Sequence, residues 1–367
     1  MKKILVIILA ACLLAPVRAE GVEYGQDATG DPNAVWVMGA SGFLYSDRIV
    51  FTVAHTIEYF GNDLNASYLF APGVKIGSDQ KKYFAQKILI APTYRPRIGT
   101  DNTRVDDFAI IILRESMPVR NNVQVASPAD IETFIREKAP VEMVGYGLQN
   151  VAMRTDSLAR NTMSPNKLMS VLVSGDDLRK YYTAYPEWHQ PNQTMLDLGI
   201  PNNDKIGSVC DGDSGAGFFV QKGDVRYYLG AVGGSQAGIT NCNAPLGKFA
   251  PNGGMSGITP TYKFLSLIKE AEDFVANEKK LEAAREEARA AAELKAKQEA
   301  DERARVEAEL KAKLEAEAKA ALELKAKQEA EAKAAAQKKT TITCVKGKLT
   351  KKVTGVKPVC PAGYKKK

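Results

Sequence analysis

Long apolar runs are almost absent from this chain of 367 residues. Only Ile4–Val17 qualifies, and it is shorter than the roughly 20 residues a helix needs to cross the ~30 Å apolar core of a bilayer. No other segment is apolar enough to cross a membrane. Proline and glycine are both missing between Pro260 and Gly347, which excludes a loop-rich domain there. Aspartate and glutamate are missing from the last thirty residues, Lys338–Lys367, which carry ten lysines. The net charge of +7 is therefore a property of the tail, and the remainder of the chain is slightly acidic. Histidine is nearly absent too, with only His55 and His189.

The apolar run sits in a leader. Lys2 and Lys3 precede it and a small-x-small site, Val17-Arg18-Ala19, follows, the pattern of a secretion signal over residues 1–19. The expected location is secreted or cell-surface associated, by bacterial-type export. Leu9-Ala10-Ala11-Cys12 offers a competing reading as a lipoprotein box with lipid on Cys12. The apolar stretch before Cys12 is short for that, and Leu13-Leu14 is unusually apolar for a mature lipoprotein start. Removal of the leader leaves Cys210, Cys242, Cys344 and Cys360, an even number that in an exported chain suggests two disulfides. Their neighbourhoods suggest 210–242 and 344–360.

From about Val22 to Pro260, short β-rich runs such as Ala34–Met38, Ile49–Val53, Phe108–Leu113 and Tyr227–Val232 alternate with Gly, Pro, Asn and Asp breaks. This reads as an all-β domain within residues 20–276. Residues 277–339 are Ala, Glu, Lys, Arg and scattered Leu, a composition of high helix propensity with acid–base pairs three and four apart. Glu293–Lys297 recurs at Glu309–Lys313 and Glu323–Lys327, yet Leu281, Leu294, Leu310, Leu314, Leu322 and Leu324 make no heptad seam. A solitary charged helix of some 75 residues, a rod of roughly 110 Å at about 1.5 Å per residue, is favoured over a coiled coil. Residues 340–367 form a basic module that a Cys344–Cys360 bridge would close. Its lysines suit an anionic cell-wall or membrane surface, and a merely solvated tail is the plain alternative. No nucleic acid is expected as a partner.

Acyl transfer needs a nucleophile, a base, a group that orients the base, and donors for an oxyanion. Cys210-Asp211-Gly212-Asp213-Ser214-Gly215-Ala216-Gly217 sets a serine in a Gly-rich turn. Phe51-Thr52-Val53-Ala54-His55-Thr56 sets a histidine after an apolar strand, and Asp107-Phe108-Ala109-Ile110-Ile111-Ile112-Leu113 sets an acid at the head of a buried strand. Each alone has a plainer explanation: a turn serine, a satisfied core histidine, a strand-end acid. His189 has no such context and reads as surface or pocket lining. Asp106 rivals Asp107 but falls one residue too early for the acid-apolar-Ala pattern.

Together, in the order His, Asp, Ser, these motifs resemble the chymotrypsin/trypsin family of serine proteases over about Val22 to Ala276. Gly42-Phe43-Leu44-Tyr45-Ser46, Val144-Gly145-Tyr146-Gly147 and Leu229-Gly230-Ala231-Val232 extend the likeness. It implies two six-stranded antiparallel β-barrels with a C-terminal helix, here continuing into the charged helix. It implies a serine endopeptidase in which Ser214 attacks, His55 moves the proton and Asp107 orients His55. The N–H groups of Gly212 and Ser214 would form the oxyanion hole. Cys210–Cys242 matches the disulfide beside the substrate pocket, and Asp213 matches the acid that pairs with the freed amine of Val22. Ser208 would stand at the pocket base, with Gly233-Gly234-Ser235 along the substrate backbone.

No cofactor and no metal are implied. An apolar or aromatic substrate side chain is expected, since Ser208 is not acidic; Lys248 entering the pocket would favour acidic residues instead. The family cystine around the histidine is missing, with Ala40 and Thr56 at its two places, and Ala216-Gly217 replaces the usual Gly-Pro. A catalytically silent binding or surface-scaffold protein is the alternative.

Overall fold

The computed structural model describes residues 25–60, 63–64, 67–77, 80–96, 104–119, 122–147, 164–184, 198–202, 209–237 and 254–367. The chain divides into two units, Met1–Lys279 and Lys280–Lys367.

The first unit opens with a short strand, β1 (Gln26–Asp27). Its first lobe then runs through β2 (Ala34–Val37), β3 (Ala40–Ser46), β4 (Ile49–Thr52), helix α1 (Ala54–Phe60), β5 (Tyr68–Leu69), β6 (Tyr83–Ile90) and β7 (Ala109–Leu113). The strands close into a barrel in the order β2-β3-β4-β7-β6-β5. Successive side chains on a strand point to opposite faces, and both faces of this barrel wall are covered. Val35, Val37, Leu44, Val50, Ala109, Ile111 and Leu113 belong to one buried cluster. Phe43, Ile49, Phe51, Ile110 and Ile112 belong to another, shared with Phe219, Tyr228 and Phe264 from later in the chain. That double burial is why β7 reads as the unbroken apolar run Ala-Ile-Ile-Ile-Leu.

The second lobe contains β8 (Asn122–Val125), α2 (Pro128–Glu137), β9 (Pro140–Gly145), β10 (Asn166–Val171), β11 (Val173–Ser174), α3 (Gly175–Ala184), β12 (Leu198–Asn202), β13 (Gly217–Lys222), β14 (Val225–Ala237) and β15 (Gly254–Pro260). Its sheet follows the order β1-β10-β9-β13-β14-β15-β12-β11, with β8 alongside β14 in parallel. Of the two six-stranded antiparallel barrels expected, one is present as a closed barrel of six strands. Among the described residues one barrel closes and the second lobe is an open, half-barrel sheet with one parallel pair. Its β10 and β12 are linked by a side chain, Ser170 Oγ donating to the Pro201 carbonyl at 2.6 Å. Pro201 lacks the N–H that a backbone ladder would use at that place.

A 3-10 turn (Thr261–Phe264) leads into α4 (Leu265–Ala336), a single helix of 72 residues, so β-strands dominate the two lobes, which also carry α1, α2 and α3, and a helix dominates the rest. The early part of α4 is amphipathic: Ile268, Ala271 and Val275, spaced three and four apart, are buried against first-lobe residues. Lys87–Glu270 (2.8 Å), Tyr45 Oη to Glu272 (2.9 Å), Gln86 to Glu278 (2.7 Å) and Lys279–Asp47 (2.7 Å) frame the contact.

In the second unit the rest of α4 is exposed, including Leu281, Leu294, Leu310, Leu314, Leu322 and Leu324. Pairs such as Arg289–Glu293 (3.0 Å) and Glu302–Arg305 (2.8 Å) run along it. Beyond it, β16 (Thr340–Lys346), β17 (Leu349–Gly355) and β18 (Lys365–Lys366) form a sheet in the order β17-β16-β18. Its one fully buried side chain, Cys344, is bonded to Cys360 sixteen residues on. Closure of a loop that size stabilises a fold by about 3 kcal/mol.

Because the burial of α4 ends before Lys280, a chain stopped after Lys279 should melt with the intact first unit. One stopped after Phe264 loses Ile268, Ala271 and Val275, on the order of 5 kcal/mol, and its Tm should fall by about 10–20 °C. Calorimetry of the two truncations checks this.

Candidate active site

β4 ends at Thr52 and α1 starts at Ala54, which puts His55 in the first helical turn, where backbone N–H groups have no helical acceptor. Asp107 fills that need: its Oδ1 accepts the His55 N–H at 2.9 Å, and its Oδ2 lies 2.6 Å from His55 Nδ1. The preceding Asp106 adopts φ +48°, an uncommon left-handed conformation that reverses the chain and turns Asp107 inward. Asp107 is 1% exposed and His55 16%. On the open side of the ring, Nε2 lies 3.0 Å from Ser214 Oγ. With Nδ1 donating to the carboxylate, Nε2 is the nitrogen left to accept the serine proton.

Ser214 stands in a tight turn in which the Asp213 N–H donates to the Cys210 carbonyl (3.0 Å) and the Ala216 N–H to that of Asp213 (2.8 Å). Gly212 and Gly215 have φ +95° and +86°. A Cβ on Gly215 would stand 2.2 Å from the Ser41 carbonyl oxygen, so only glycine fits there.

Behind the turn, Asp213 is wholly buried. Its Oδ1 accepts the Gly147 N–H (2.8 Å) and its Oδ2 the Cys210 N–H (2.9 Å). Burial pushes its carboxyl up to about 7, against the opposing pull of those two hydrogen bonds. The same contact explains part of the Val-Gly-Tyr-Gly motif, since a Cβ on Gly147 would lie 2.3 Å from the carboxylate.

The expected residues thus fall into two groups. His55, Asp107, Ser214, Gly212 and Asp213 come together at one site, and Asp107 rather than Asp106 faces the histidine. Gly233, on β14, lies beside it: a Cβ there would be 3.7 Å from that of Asp107. The ladder between β14 and β15 shifts between Val232 and Gln236, so Gly233, Gly234 and Ser235 stand out of it. Unladdered backbone of this kind can pair with an extended peptide. Cys210 is disulfide-bonded. Val22, Ser208, Cys242, Lys248, His189 and Cys12 lie outside the described residues. Ala40 and Thr56 are both buried, filling core space.

Tyr94 and Glu58 were not legible as neighbours of this site. Tyr94 Oη donates to Glu58 Oε2 at 2.8 Å; burial, then the carboxylates of Glu58 and Asp107, push the phenol up. Nothing in their spacing marks the pair.

The Trypsin family model matches residues 29–252, more than half of the chain, and the chain belongs to that family. Similar solved structures include the scabies mite inactivated protease paralogue S-D1. It is 14% identical with a TM-score of 0.47, over 69% of this chain and 97% of that one. No curated protein matches.

Asp213 makes the pH dependence predictable. Its folded value, about 7, is above the ordinary 3.8, so between those limits the folded chain holds a proton the unfolded chain has lost. In a chain whose Val22 amine is not freed, stability should fall by a few kcal/mol as pH rises from about 4 to about 7. Asp213→Asn should flatten that slope. Melting temperatures across the range test it, and equal slopes in both proteins would assign the effect elsewhere.

Proposed function

We propose that the chain is an exported serine endopeptidase that cleaves peptide bonds through an acyl-enzyme. The observation that carries this reading is the unbroken hydrogen-bonded series Ser214 Oγ, His55, Asp107, at 3.0 and 2.6 Å. Ser214 attacks the scissile carbonyl as His55 Nε2 takes its proton, and the protonated ring then delivers that proton to the leaving amine. Asp107 holds the ring orientation and stabilises its cation. The N–H groups of Gly212 and Ser214 bind the oxyanion, and the Gly233–Ser235 backbone aligns the substrate. The expected substrate side chain at the cleaved bond is apolar.

Export through the 1–19 leader and release of the Val22 amine complete the reading. The amine would pair with Asp213, whose buried carboxyl is costly as an anion without a cation and so acts as a switch. The alternative of a catalytically silent binding protein has no lost triad member to support it.

The test is labelling of purified protein by a serine-directed phosphonate, which should attach at Ser214. Ser214→Ala and His55→Ala should each abolish peptide hydrolysis with the fold intact. Asp107→Asn should lower kcat by about 10⁴-fold and Asp106→Asn should leave it near wild type. A labelled or fully active Ser214→Ala protein sinks the assignment.

The lysine-rich C-terminal sheet is proposed to hold the enzyme on an anionic wall or membrane surface. Deleting Lys338–Lys367 should lower retention on such material at low salt, and the difference should shrink by 0.15 M. Equal retention of both forms refutes it.

A further inference from the structure

Ser41, on β3, is fully buried and stands opposite the turn that carries Ser214. Its N–H donates to the Ser214 carbonyl at 2.9 Å. Its Oγ donates to the Gly212 carbonyl at 2.8 Å. That direction is settled by a third bond, because the same Oγ accepts the Tyr146 N–H at 2.8 Å and its single hydrogen is thereby left for Gly212. The Ser41 carbonyl in turn accepts from Thr52 Oγ1 at 2.9 Å, at the end of the strand that leads to His55.

One residue of the first lobe therefore holds the carbonyls of both residues whose N–H groups are assigned to the oxyanion. Those carbonyls lie on the peptide units that follow Gly212 and Ser214. Pinning them fixes the ψ of each residue, and with it the plane from which the turn presents its donors. Gly212 has most need of this, because glycine at φ +95° has no Cβ to restrict it. Asp213 braces the turn separately, by accepting the Gly147 and Cys210 N–H groups.

We propose that Ser41 is a positioning residue for the oxyanion hole: its hydroxyl clamps the Gly212 peptide so that the Gly212 N–H is pre-aimed at the oxyanion before substrate arrives. The inference rests on the peptidase reading above. Donors aimed in advance act on charge that develops in the transition state and hardly on the ground state. Loss of the clamp consequently falls on kcat and leaves KM in place. Its effect is smaller than the 10²–10³-fold expected when an oxyanion donor itself is removed.

The experiment compares wild type with Ser41→Ala, Ser41→Cys and Tyr45→Phe on one peptide substrate and one peptidyl aldehyde, whose adduct places an oxyanion in the hole. Ser41→Ala should lose about 10–100-fold in kcat with KM within about twofold, and aldehyde affinity should fall by the same factor. Ser41→Cys fills the same space with a weaker donor and should lie between Ser41→Ala and wild type. It carries the test if the alanine variant fails to fold. Tyr45→Phe deletes a hydrogen bond from the same strand, Tyr45 Oη to Glu272, that has no part in the Ser214 turn, and should keep kcat within about twofold. An active wild type whose Ser41 variants both turn over within twofold overturns the inference, as does a Tyr45→Phe loss equal to that of Ser41→Ala. An inactive wild type that no phosphonate labels overturns instead the reading on which it rests.

Discussion

His55 and Asp107 belong to one lobe and Ser214 to the other, so the 3.0 Å contact between Nε2 and Oγ exists only while the two lobes are held in register. The aromatic seam between them supplies that hold. Phe43 packs on Tyr228 and Phe219, Phe51 on Tyr228 and Phe108, and Phe108 stacks on Phe264, with ring centroids 4.6 to 5.8 Å apart. These rings come from the outward faces of β3 and β4, from the residue before β7, from β13 and β14, and from the turn before α4. A seam of large, interlocked side chains has few alternative packings, which is what a hydrogen-bonded pair spanning it needs.

Two arginines of the fold are held by several acceptors each. Arg48 is buried and donates to the Leu113 carbonyl and Gln86. Arg226 grips Asp31 through two nitrogens and adds Asn33, tying the residues before β2 to the second lobe while its guanidinium covers the Phe219 ring. Asp213 differs, for both its described hydrogen-bond donors are uncharged backbone groups. Such a carboxyl stores an electrostatic imbalance, and a nearby cation is the natural means of relieving it.

The helix α4 changes role along its length without changing its secondary structure. Its first turns carry Ile268, Ala271 and Val275 on one face and belong to the buried cluster that the two lobes share. Past Lys279 the alanines and charged pairs sustain the helix by local propensity alone. No apolar stripe persists there to bind it to anything else.

The residue types and their order were enough to indicate the family and which side chains meet at the site. The Gly-Asp-Ser-Gly turn, the Val-Ala-His strand end and the Asp-Phe-Ala-Ile strand head each reflect local needs: φ > 0 glycines, a helix start, a doubly buried strand. So do the helical stalk and the Cys344–Cys360 bridge, since composition and short spacing decide both. What the sequence could not show lies in contacts between distant segments. Ser41 reaches Gly212 across 171 positions, and Tyr94 meets Glu58 over 36. Ser170 meets the Pro201 carbonyl over 31. Hydrophobic pattern and turn chemistry are properties of neighbours along the chain; which hydroxyl holds which carbonyl is decided only when packing brings the two lobes together.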